Sequence, residues 1–366
     1  MTAFPILYFL EFRKEMENSL YVFEAGVGIA FIFISLMTWL VSLSVRADGS
    51  HSLFFYVFSV FAFTAMVDLD IGFTLDQVVM PWTNFYLNKG EPYLKSSYGS
   101  AINWWDGTFH YSLYLYMIWS MMERRNYRWA GFIWAGSIMN SMLVFIPGNI
   151  VGKFGGEIKE SILLNIPYAT FPVLFAIREW RKPSPAKLVR YIGKTVRRGT
   201  VLFVVDCVLI GWLLFATALA FFRGFIVLGS PLKQAQSWVR DYEPILSDEA
   251  KWPQMQVLLH LYFFVPFYLY AIWALLKPSG KQHFTDLAAL HLGAALQGQW
   301  SYIFPAVHQV PGALSTYPRG IWTPIPAAGK DIFYQINLSL VIVPLILFLR
   351  ASWVDQAYWA KKQNKK

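Results

Sequence analysis

Apolar residues run along this chain in long blocks broken by short polar stretches. Blocks long enough to cross about 30 Å of hydrocarbon fall near 20–45, 52–75, 102–122, 129–148, 160–177, 200–222, 253–276, 284–304 and 331–350. The pattern predicts an all-α polytopic membrane protein with nine transmembrane helices, or ten if the opening segment also spans. That segment, MTAFPILYFLEF, is apolar but soon meets Arg13, Lys14, Glu15 and Glu17, so it lacks both the length of a span and the order of a signal peptide. It is expected to lie at the membrane interface.

Internal similarity organises the spans. KGEPYLKS (89–96) precedes a helix bearing His110, and DYEPILSD (241–248) precedes one bearing His260. Asn165 is followed by Pro172 at the spacing that separates Asn337 from Pro344, and FIPG (145–148) matches IFPA (303–306). These matches recur in the same order, which predicts two tandem four-helix units in parallel repeat, because four spans return the chain to its starting side. The expected divisions are 1–48 (interfacial segment and first span), 49–182 (first unit), 183–199 (basic linker), 200–352 (second unit) and 353–366 (basic tail).

Helical rise places the polar residues in depth. Asp106 and His110 enter from one surface and sit roughly 6 to 12 Å deep. Asp68 and Asp70 reach the same level from the opposite direction, as do Asn140, Ser141 and Asn165. In the second unit Gln256, His260, Gln297, Gln299 and Asn337 occupy the matching layer, with amides and a histidine but no carboxylate. An aspartate facing lipid costs about 2.5 to 3.5 kcal/mol, so these groups are expected to face inward. Asp106 and His110, four apart, share a helix face and can stabilise each other's charge, and Thr64 and Asp68 have the same spacing. Trp104, Trp105 and Tyr111 could wall such a chamber. The bland alternative is interhelical hydrogen bonding, which suits Asn165, Asn337, Gln297 and Gln299 equally well. Glu24 and Asp206 lie off both layers and read as structural. Pro167, Pro172 and Pro344 are expected to kink their helices and free carbonyls.

Composition supports this picture: 56% of the residues are hydrophobic and only 14% charged. With the N-terminus lumenal, the greater part of the 31 Lys and Arg falls on cytoplasmic segments, so the net charge of +9 reads as a topology signal. The C-terminus would then be cytoplasmic. No nucleic-acid-binding module is present. Cys207 is the only cysteine, which excludes an intrachain disulfide and a cysteine metal cluster. No metal and no cofactor is expected. The one glycosylation sequon, Asn337-Leu-Ser, falls inside a span and should be silent.

The strings VFAFTAMVDL (60–69), NKGEPYL (88–94), WDGTFHY (105–111), GNIVGK (148–153), FFRGFIVL (221–228) and YEP followed by QMQVLLH (254–260) resemble the transmembrane 6 superfamily over nearly the whole chain. The resemblance implies two EXPERA domains, the four-helix module shared with emopamil-binding protein, a sterol isomerase, and with the sigma-2 receptor. It implies residence in endoplasmic reticulum and Golgi membranes and a part in neutral-lipid and cholesterol handling, including lipoprotein lipidation and lipid droplets. The implied partners are a sterol or other neutral lipid, membrane lipids and lipid-metabolism proteins of the endoplasmic reticulum. Candidate ligand-binding residues are Thr64, Asp68, Trp104, Trp105, Asp106, His110, Asn140, Asn165 and Tyr168, with Gln256, His260, Gln297, Gln299 and Asn337 in a second-module cavity.

Catalysis is a separate question. The isomerases carry a histidine and, four residues on, a glutamate on the first helix of the module, where this chain has Thr64 and Asp68. Their glutamate on the next helix corresponds to Asp106, and an asparagine on the last helix to Asn165. Were the chain a sterol Δ8–Δ7 isomerase, Asp106, His110 and Asp68 would handle the protons, with Trp104 and Trp105 helping to stabilise a carbocation. The change at Thr64 favours a lipid-binding regulator instead. A transporter is disfavoured, because no charged path crosses the full thickness.

Overall fold

The computed structural model describes residues 3–42, 52–78, 82–182, 200–276, 283–308 and 325–363. Among these residues there is no strand. The basic linker expected at 183–199 and the last residues of the tail lie outside the described residues.

Helix α1 (Ala3–Glu11) precedes α2 (Ser19–Ser42) and α3 (Leu53–Leu75). Helices α4 (Ser97–Trp105) and α5 (Tyr111–Met122) form one rod through a π turn at Asp106–His110, and α6 (Arg128–Val151) and α7 (Ile166–Arg181) complete the first half. The second half holds α8 (Thr200–Val227), the short α9 (Lys233–Asp241), and α10 (Trp252–Leu259) joined to α11 (Val265–Leu276) by a π turn at His260–Phe264. Helices α12 (Phe284–Val307) and α13 (Ala327–Gln363) close the fold.

Seven segments among the described residues are long and apolar enough to cross a membrane: Ser19–Leu40, Leu53–Leu75, Arg128–Val151, Glu160–Arg181, Thr200–Val227, Trp252–Leu276 and Ala327–Trp353. The other two sequence-predicted spans fall on the α4–α5 rod and on α12, which are long but less apolar. The polar content of α12 explains the difference: Thr285, Asp286, His291, Gln297, Gln299 and Ser301 are all buried against neighbouring helices, so none of them meets lipid. The apolar side chains of α2, α8 and α13, such as Phe31, Val208 and Ile342, form the exposed belt instead.

Contacts at the helix ends fix which ends share a side. On the first side the Phe85 amide donates to Glu11, Ser161 donates to the Gly90 carbonyl at 2.7 Å, the Lys153 amide donates to the Glu249 carbonyl at 3.0 Å, and His308 meets Asp76 at 2.9 Å. On the opposite side Arg178 reaches Ser52, Arg128 grips Asp286, and Trp180 stacks on His283. Successive long rods therefore alternate in direction. Helix α1 packs against the flank of α3 with Ala3 and Leu7 buried and Tyr8 and Phe9 exposed, and Ala3 lies near Ala62 and Met66.

Helices α6 and α12 cross at the centre. A Cβ on Gly136 would strike the Leu290 carbonyl, and one on Gly293 would strike the Ile133 carbonyl, so only glycine lets the two backbones touch. The contact is reciprocal, since Leu290 and Gly293 follow Ile133 and Gly136 by the same 157 residues that separate the hydrogen-bonded Asn140 and Gln297. Such an isologous contact is the mark of a local two-fold axis, here between parallel helices. Arg128 of α6 and Asp286 of α12 tie the opposite-side ends together with bonds of 2.9 and 2.8 Å.

Candidate functional site

The first chamber is built around the π turn. A π turn inserts one residue into a helix and recurs at functional positions. Here it pushes Gly107 against α3, where a Cβ would come within 2.7 Å of the Leu69 Cα. The widened turn stacks Asp106 over His110, and the Asp106 carboxylate bonds the His110 Nδ1. On the far side of the ring, Nε2 meets the Ser137 hydroxyl of α6 at 2.7 Å, and the Trp105 indole N–H donates to Ser137 at 3.0 Å. His110 and Ser137 are fully buried, whereas Asp106 keeps 21% of its side chain exposed. The chain of bonds thus holds a partly exposed carboxylate and backs it with a fixed imidazole.

Glu91 supplies the floor. It precedes Pro92 in the loop between α3 and α4 and folds back until it is buried. Its Oε1 accepts from Asn165 Nδ2 and from the Tyr93 hydroxyl, both at 2.7 Å. Burial raises its carboxyl from the ordinary 4.5 to about 7, against the lowering effect of hydrogen bonds from Tyr93, Asn165 and Tyr86. Tyr168 of α7 donates to Thr64 of α3 and stacks on Phe61 with centroids 4.3 Å apart. Asp68, half-buried, lies within electrostatic reach of both Asp106 and Glu91, and Tyr168 lies within reach of all three carboxylates. Asp68, Asp106, His110, Asn165, Thr64 and Tyr168 thus come from three segments to one place.

Other expected residues go elsewhere. Trp104 points away from the chamber, donating to Asp76 at 2.7 Å and packing edge-on to Phe73. Trp105 faces His110. Asn140, expected in the first chamber, reaches across to the second half: its Nδ2 donates to Gln256 at 2.9 Å and to Gln297. Gln256 and Gln297 are therefore committed to the α6–α12 crossing rather than to a second cavity. Gln299 is buried with its Oε1 lacking a hydrogen-bond partner among the described residues, and the same holds for His260 Nε2, whose ring stacks on Phe264.

The second half contains a carboxylate at its polar layer, contrary to the sequence reading. Glu243, in the backbone position that Glu91 holds (φ −135, ψ 61 against φ −125, ψ 75), precedes Pro244 and is completely buried. It accepts from Arg223 Nε at 3.0 Å and from Trp238 at 2.8 Å, and Arg223 Nη2 also reaches Asn337 Oδ1 at 3.1 Å. Asp206, read as structural, is paired in two-pronged fashion with Arg350 at 2.6 and 2.7 Å.

Four residues escaped the sequence reading as site members: Glu91, Ser137, Arg223 and Glu243. Both glutamates stand in the repeated strings KGEPYLKS and DYEPILSD, and Arg223 is a lone cation in an apolar helix, so signals existed for three of them. Ser137 carried none.

A profile for the transmembrane domain of transmembrane 6 superfamily member 2-like proteins matches residues 2–189, the stretch that holds every residue of the first chamber. The chain is 32% identical to transmembrane 6 superfamily member 2 of Mus musculus over 354 residues, which cover 96% of this chain and 90% of that protein. The chain belongs to the transmembrane 6 superfamily. The namesake proteins of Rattus norvegicus and Homo sapiens match equally well, at 32% identity over 354 and 353 residues. No solved structure gives a significant match. Membership extends over both halves, so the contrast between the acidic first chamber and the ion-paired second lies within the family-like part of the chain.

Proposed function

We propose that this superfamily member is a sterol- or neutral-lipid-binding protein of the endoplasmic reticulum and Golgi membranes that regulates neutral-lipid and cholesterol metabolism, including lipoprotein lipidation and lipid droplets. The observation that carries the reading is the convergence of Asp68, Asp106–His110 and Glu91–Asn165 from separate segments, within bonding or electrostatic reach of one another. An ionisable group in hydrocarbon is costly unless it is paired or turned to a polar space, and Asp106 is left partly exposed. A lipid whose hydroxyl or other polar end reaches the carboxylates, with its apolar body among Phe61, Tyr168 and the bilayer, fits that arrangement.

The test is mass spectrometry of lipids that co-purify in mild detergent, combined with labelling by a photoactivatable sterol. Labelled peptides from α3, α5 and α7, lost in Asp106→Asn and Asp68→Asn, support the reading. Equal labelling of wild type and both variants overturns it.

A second reading, a sterol Δ8–Δ7 isomerase, draws on Asp68 of α3 lying within electrostatic reach of the Asp106–His110 pair, which brings two proton-bearing groups together from different helices. Such an enzyme adds a proton at one carbon and removes one from another, with no net change in the protein. Conversion of a Δ8 sterol by purified protein, abolished in Asp106→Asn while binding survives, would establish it.

A further inference from the structure

The two halves present the same pair of groups in opposite states. In the first, Glu91 and Asn165 bond directly to each other, with the carboxyl of Asp68 within electrostatic reach of Glu91. In the second, Glu243 and Asn337 occupy the corresponding positions, each glutamate preceding a proline and each asparagine seven residues before the proline of its helix. Here a guanidinium stands between them. Arg223 contacts Glu243 through Nε and Nη2 and reaches Asn337 through Nη2, with its charged carbon 5.7 Å from the Tyr302 ring centroid. Arg223 is 2% exposed, Glu243 and Asn337 not at all. The indole of Trp238 takes the remaining approach to the carboxylate.

We propose that Arg223 is a built-in ligand: its side chain occupies, from within the chain, the polar position between Glu243 and Asn337, whose counterparts Glu91 and Asn165 bond each other directly in the first half. Three features argue against an incidental salt bridge. The bond to the carboxylate is two-pronged, which fixes the planar head in orientation as well as in distance. The same nitrogen that holds Glu243 also holds Asn337, so the head bridges the repeat-equivalent pair rather than one member of it. An aromatic ring lies beside the cation, as in sites that receive cationic heads from outside. The consequence is a second module whose Glu243–Asn337 pair selects a guanidinium or amine once Arg223 is withdrawn. This goes beyond the lipid-binding reading and does not need it to be right.

The experiment uses full-length protein in mild detergent and reads thermal stability with and without methylguanidinium. Arg223→Ala should melt well below wild type and recover at least half of the loss in millimolar methylguanidinium, since a compound that binds only the folded state raises its stability by mass action. The double variant Arg223→Ala with Glu243→Gln should not recover. Recovery equal in both variants, or an Arg223→Ala protein that gains nothing, overturns the proposal. Should Arg223→Ala fail to fold, Arg223→Lys and Arg223→Met decide: the proposal requires the lysine variant to melt between wild type and the methionine variant, and a methionine variant as stable as wild type overturns it. Photoactivatable sterol supplies a separate arm. Labelling of the buried residues beside Glu243 and Asn337 in wild type, such as Tyr302 and Phe333, would show a receptive second pocket and overturn the proposal, whereas absence of label anywhere counts only against the lipid-binding reading.

Discussion

Asn140 and Gln297 meet side chain to side chain where α6 crosses α12, and their separation of 157 residues is the one that relates the two glycines at the same crossing. Asn140 also exchanges hydrogen bonds with Gln256, donating at 2.9 Å and accepting at 3.2 Å. Asn140→Ala would leave two buried amides short of partners. The expected loss is about 1 to 2 kcal/mol, read as a lower melting temperature in detergent. No change would mean that the glycine contact alone holds the halves together.

The glycines themselves give a sharper outcome. Gly136→Leu and Gly293→Leu each force a side chain into a backbone carbonyl, which cannot yield as a flexible side chain would. Both variants should lose the monodisperse peak in size-exclusion chromatography. Gly211→Leu, on α8 with open space around the glycine, should leave that peak unchanged.

The sequence exposed some of this architecture and hid the rest for identifiable reasons. Hydropathy located the rods, and the convergence of Asp68, Asp106, His110 and Asn165 was readable because depth along a helix follows from residue count. That rule fails in loops. Glu91 and Glu243 lie in loops between helices, where position in the chain says nothing about depth. Rotation about the helix axis was equally hidden: Trp104 and Trp105 are neighbours in sequence, yet one bonds Asp76 and the other faces His110. The residues joining the two halves, such as Asn140 and Gln256, could not be told from chamber residues, because an amide is equally suited to a ligand and to another amide.

Glu91 predicts a pH dependence. Its carboxyl is raised from 4.5 to about 7 by burial, so the folded state holds the proton more tightly than the unfolded state does. Stability from this group is therefore full at low pH, falls as pH rises from about 4.5, and levels off above about 7. The slope at mid-range approaches about 1.4 kcal/mol per pH unit. Glu91→Gln should flatten the melting temperature between those limits. A variant that keeps the wild-type slope would assign the effect to another group.

Asp206 and Arg350 test how much a buried pair matters when neither partner touches the candidate chamber. Arg350 donates to both carboxylate oxygens, at 2.6 and 2.7 Å, and each side chain is less than a tenth exposed. Removing one partner strands the other's charge in a place without water, which costs about 3 to 5 kcal/mol. Replacing both with apolar residues of similar size removes two desolvation penalties along with the attraction, and is often close to neutral. Asp206→Leu is therefore expected to melt far below wild type, and Asp206→Leu with Arg350→Met to recover most of the loss. Sterol labelling of the first chamber should be the same in wild type and the double variant, because the pair joins α8 to α13 and its place is structural. A double variant that melts as low as the single one would show that the ion pair contributes more than mutual neutralisation.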